Sequence, residues 1–89
     1  MMGTSLQGYV NTTYQHLVET LGQPTYSNPS ADGKVNTEWE LMSEYGPVTI
    51  YDWKDFDGGE LSRSGVKYQW HVGGKSIQAL FYVEGLLGI

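Results

Sequence analysis

Val48-Thr-Ile-Tyr-Asp-Trp-Lys54 is the stretch whose reading decides the fold. β-Branched and aromatic residues crowd it, and such side chains suit a pleated, half-buried surface. Alternation along a strand puts Val48, Ile50 and Asp52 on one side and Thr49, Tyr51 and Trp53 on the other. A similar run precedes it from Val35 to Met42, where Val35, Thr37, Trp39 and Leu41 alternate with Asn36, Glu38, Glu40 and Met42. Another follows from Val66 to Val72, with Val66, Tyr68, Trp70 and Val72 against Lys67, Gln69 and His71. The three runs read as an antiparallel meander with Val48–Lys54 in the middle. Ser43 to Gly46 is the expected first hairpin connection. Asp55 to Gly65, rich in Gly and Ser, is a longer loop of the kind more often tied to function.

Upstream of the meander, Thr4 to Val10 alternates weakly and reads as a short strand at a sheet edge, with Leu6 and Val10 or Tyr9 as candidates for burial. Thr12 to Leu21 is the clearest helix, since Tyr14, Leu17, Val18 and Leu21 make one apolar stripe. Thr12 with Gln15 fits a capping box, Gly22 suits a left-handed C-terminal residue, and Pro24 forbids continuation. Gln23 to Lys34 is loop by its prolines and its Asp32-Gly33 pair.

Downstream, Ser76 to Leu87 reads as a second helix with Ser76 as N-cap. Ile77, Leu80, Phe81 and Leu87 form one apolar stripe with Val83 beside it, and Ala79, Tyr82 and Leu86 form another. A helix apolar around so much of its circumference is covered on more than one side. Either a homodimer forms through Ala79, Tyr82 and Leu86, or the sheet curls around the helix. The element order β-α-β-β-β-α predicts an α+β fold in two layers: an antiparallel sheet of three to four strands with two helices on one face.

Eighty-nine residues make one domain spanning 1–89. The surface scaling laws let such a chain bury about 64% of its unfolded surface, enough for a modest core. The absence of cysteine removes disulfides, thiolate metal sites and thiol nucleophiles. A net charge of −5 opposes phosphate-driven nucleic-acid binding and adhesion to anionic membranes. No basic-then-apolar leader and no membrane-length apolar run is present, so a cytoplasmic protein is expected.

Chemical motifs are few. Gly73-Gly74-Lys75-Ser76, between a strand and a helix, could present N–H groups to an anion. It is no phosphate-wrapping loop, because Gln69 stands where that pattern needs its first Gly. His16 and His71 lack ligand spacing, and Glu60 and Val66 occupy the places where a calcium loop starting at Asp55 needs Gly and Glu, so no metal or cofactor is expected. If the strand registers align, Glu38, Glu40, Tyr51, Trp53, Gln69 and His71 share one exposed sheet face. Rings beside convergent polar groups suit a binding surface. A His–Glu pair for general-base chemistry would draw on the same set, and plain cross-strand packing would also produce it.

Several blocks carry a resemblance: Leu6-Gln7-Gly8-Tyr9, Tyr14-x-x-Leu17-Val18-x-x-Leu21-Gly22-x-Pro24, Lys34-Val35-x-x-Glu38-Trp39, Thr49-Ile50-Tyr51-Asp52-Trp53-Lys54, and Trp70-His71-Val72-Gly73-Gly74. In this order they look like a family of small proteins carried by bacteriophages and related mobile elements, over nearly the whole chain. The resemblance implies a small accessory protein made inside an infected bacterium and brings no activity with it. The chain departs from the family in its Asp55–Gly65 loop and in a more apolar second helix. The expectation is a non-enzymatic protein that binds a host or phage protein; the alternative is capture of an anionic metabolite or nucleotide at Gly73–Ser76.

Overall fold

The elements follow in the order β1 (Ser5–Thr12), α1 (Tyr14–Leu21), β2 (Glu38–Ser43), β3 (Gly46–Tyr51), β4 (Tyr68–Gly74) and α2 (Gln78–Leu87). They belong to a computed structural model that describes residues 4–26, 37–53 and 65–89. Val35, Asn36, the Asp32-Gly33 pair and residues 54–64, which include nearly all of the long loop, lie outside the described residues. The predicted fold class holds: an antiparallel sheet of four strands and two helices in an α+β arrangement.

The strand order is β1-β4-β3-β2. The meander forms as read, with β3 between β2 and β4. The N-terminal strand then pairs antiparallel with β4, so β3 and β4 share the interior of the sheet. Ser43 and Gly46 close the first hairpin: the Ser43 hydroxyl accepts from the Tyr45 amide at 3.0 Å and donates to the Gly46 carbonyl at 2.9 Å. Gly46 takes a φ of 96°, a backbone state costly for any residue with a Cβ.

The core lies between the sheet and the helices. Val10, Trp39, Val48, Ile50, Trp70 and Val72 bury from the strands, Leu17 from α1, and Ala79, Val83 and Leu87 from α2. Trp39 and Trp70 meet edge to face at 5.5 Å between centroids. Each indole also satisfies a carbonyl at one end of α1. Trp70 Nε1 donates to Thr12 at 3.1 Å and Trp39 Nε1 donates to Gly22 at 2.9 Å. Two large apolar bodies with one donor apiece therefore hold both ends of a short helix. Asp52, buried on this same side, accepts the Thr37 amide on Oδ1 at 2.8 Å.

The helix ends differ from expectation. Thr13, not Thr12, caps α1, with its hydroxyl accepting the His16 amide at 3.1 Å. Thr12 is the last residue of β1, opposite Tyr68, so its backbone is already committed to the ladder. Gly22 has the positive φ anticipated, 87°, but with an extended ψ of −168° it is not in the left-handed helical state. α2 starts at Gln78 after Ile77, with no side-chain cap, so Ser76 is not its N-cap.

The face of α2 is also rotated from the expected one. Ala79, Val83 and Leu87 point into the core, while Ile77 and Phe81 are exposed. Ala79 is thus a core residue and drops out of the interface set. The cause sits in β4: a Cβ on Gly74 would collide with the Ala79 methyl, so the glycine lets the helix settle on the strand at its smallest residue.

Candidate functional site

Both helices pack on one side of the sheet, with α2 against β4, β1 and β3. The other side carries Glu38 and Glu40 from β2, Thr49 and Tyr51 from β3, His71 and Gly73 from β4, and Leu6 and Tyr9 from β1. Cross-strand register builds one continuous row, because Glu38 faces Tyr51, Tyr51 faces His71, and His71 faces Tyr9. Trp53 follows just beyond the end of β3, where its amide donates to the Tyr68 hydroxyl at 3.4 Å.

Three rings gather around His71. Tyr9 meets it edge-on at 4.9 Å, Tyr51 lies at 5.4 Å and Trp53 at 6.0 Å. Tyr51 and Trp53 stand at 73° to one another with 6.3 Å between centroids, forming a corner. Leu6 is 46% exposed, Tyr9 45% and Trp53 38%, so apolar surface here remains open. Two adjoining hollows indent the face and share Leu6, Tyr51 and Trp53. One, of about 500 Å³, runs under Tyr9 and His71. The other, of about 210 Å³, reaches Glu38, Thr49 and Gly73.

The sequence-derived set is thus partly assembled. Glu38, Tyr51, Trp53 and His71 come together, and Glu40 lies on the same face one row along, opposite Thr49. Gln69 sits one row away, opposite Asn11, exposed and lining neither hollow. Leu6 and Tyr9 were missing from the set because plain alternation puts them on opposite sides. A bulge at Gln7 reverses that: Leu6 faces Gly73 while Gly8 faces Val72, leaving one residue over. The Gln7 side chain locks the bulge by donating to the Gly74 carbonyl at 3.0 Å. A Gly after an uncharged polar residue inside a strand was the available signal.

The electrostatics follow from half-burial. Glu38 is pushed up to about 7, first by burial, then by the hydrogen bond and the charge of Glu40. Tyr51 is raised by burial and then by Glu38 and Tyr9. His71 is lowered by burial, an effect opposed by the charge of Asp52 on the far side of the sheet. Among the described residues His71 Nδ1 is enclosed without a hydrogen-bond partner, and the imidazole is packed among the rings of Tyr9, Tyr51 and Trp53.

At the other expected site, Gly73 and Gly74 are buried and belong to β4, in register with Leu6 and Ser5. They are not an open turn, and only Lys75 to Ile77 link the strand to α2. On α2, Tyr82 is half-buried near Tyr45 at 6.5 Å, while Phe81 and Leu86 are 59% and 40% exposed. They border a hollow of about 410 Å³ that includes Tyr45 and Gly85. Among the described residues no group of three potential metal ligands occurs, and no helix is long and apolar enough to cross a membrane. No family model, no curated protein and no solved structure matches the chain.

Proposed function

We propose that this protein works by binding another protein through the ringed face of its sheet, without chemistry of its own. The carrying observation is the group of Tyr9, Tyr51 and Trp53 around His71 on the side opposite the helices. Rigid aromatic side chains beside hollows supply contact area at low entropic cost, which is why they dominate binding hot spots. The phage-like blocks of the sequence make a bacterial host protein the natural partner and the host cytoplasm the natural place. The test is recovery of partners from bacterial lysate on wild type and on a Tyr9→Ala, Trp53→Ala double variant of matched thermal stability. Loss of a specific partner with the variant is expected; undiminished recovery of every partner sinks the reading.

A second surface supports self-association. Phe81 and Leu86 beside the Tyr45 and Tyr82 rings give α2 an outward apolar face. A homodimer would use these residues in place of Ala79. Light scattering across concentration should show a dimer that Phe81→Glu converts to monomer. A wild-type monomer at every concentration removes this second reading.

A further inference from the structure

Within the ringed face, the smaller hollow has a chemistry of its own. Its walls are the Tyr51 and Trp53 rings, set at a corner of 73°. One end is closed by Glu38, and Glu40 follows two residues along on the same face of β2. The floor is Gly73 beside Thr49. A Cβ on Gly73 would press on Thr49 Oγ1 and come within 3.6 Å of Tyr51 Cε1, so the absent side chain keeps the space open. Among the described residues, the groups acting on Glu38 and Tyr51 across this face are a second acid and another phenol. π-Faces attract cations placed within about 6 Å of their centroids. A half-buried carboxylate beside them adds a charge-assisted hydrogen bond. A chain of net charge −5 favours a basic partner as a whole.

We propose that the hollow between Glu38, Tyr51 and Trp53 receives a cationic side chain, arginine or lysine, from the bound protein. This rests on the ringed face being the binding surface and names what the partner must bring to it. Entry of the cation favours the ionised form of Glu38, whose proton leaves to solvent. Among the described residues, the titratable groups around it are Glu40 on β2, Tyr51 on β3, His71 on β4 and Tyr9 on β1.

The test is a two-dimensional amide NMR titration of the whole protein with N-acetyl-arginine methylamide, N-acetyl-lysine methylamide and the neutral isostere N-acetyl-citrulline methylamide. Saturable shifts are expected for the arginine or the lysine probe, at the amides of Glu38, Thr49, Tyr51 and Gly73 and at the Trp53 indole, with none from citrulline. Glu38→Gln should weaken binding about tenfold, the size of losing one charged hydrogen bond. Lowering the pH from 8 to 6 should weaken it as Glu38 takes up its proton. Absence of shifts from both cationic probes, equal shifts from citrulline, or undiminished affinity in Glu38→Gln overturns the proposal. If both cationic probes fail while Tyr9→Ala, Trp53→Ala still loses the lysate partner, the cation seat is wrong and the binding face stands. If a cationic probe binds as expected but that variant keeps every partner, the face is not the protein-binding surface and the seat stands alone.

Discussion

Glu38 shows how one carboxyl on a half-buried strand sets the pH behaviour of a face. Its ordinary value of 4.5 rises to about 7 on folding, so the folded chain binds this proton more tightly than the unfolded one. Stability from Glu38 is therefore full at low pH and is lost as the pH climbs from 4.5 through 7. Glu38→Gln, which keeps the shape and removes the charge, should raise Tm at pH 8 and change it little at pH 5. An equal shift at both pH values would contradict this. His71 works in the opposite direction. Its folded value lies below 6.5, so its contribution is present at neutral pH and fades as the pH falls through 6.5. A proton NMR titration of the His71 ring should give a midpoint under 6.5, and a midpoint above it would refute the burial argument. Asp52 acts by hydrogen bonding: Asp52→Ala leaves the buried Thr37 amide without its acceptor and should cost about 1–3 kcal/mol in chemical denaturation.

At the scale of elements, the contact between β4 and α2 depends on the pair Gly74 and Ala79. Gly74→Ala forces two methyl groups into one space and should cost about 1–3 kcal/mol, or roughly 5–15 °C in Tm. Combining it with Ala79→Gly restores the space, and the double variant should recover part of the loss despite the poorer helix former. Additive losses would show that the two sites do not share the contact. This pair also shows where sequence patterning stops. Strict alternation made β2, β3 and β4 legible, with Glu38, Tyr51 and His71 correctly placed on one face, because a period of two admits only one assignment. The same rule failed in β1, where the Gln7 bulge slips the register and turns Leu6 to the side of Tyr9. On α2, nearly every position is apolar, so periodicity could not choose the buried stripe. Gly74 chose it, through a contact between residues the pattern treats separately.

For the molecule as a whole, the division of its rings between two sides of one sheet is the feature with consequences. Trp39 and Trp70 are buried beneath the helices, whereas Trp53 stands on the opposite face next to His71. The three indole N–H groups therefore report separately on core and binding face. The measurement is an amide and indole NMR titration of labelled protein with the partner recovered from lysate. The Trp53 indole and the amides of Tyr9, Tyr51 and His71 should shift, with the Trp39 and Trp70 indoles unmoved. Shifts confined to Phe81, Leu86 and their neighbours on α2, with the Trp53 indole unchanged, would contradict the assignment of the sheet face as the surface that binds.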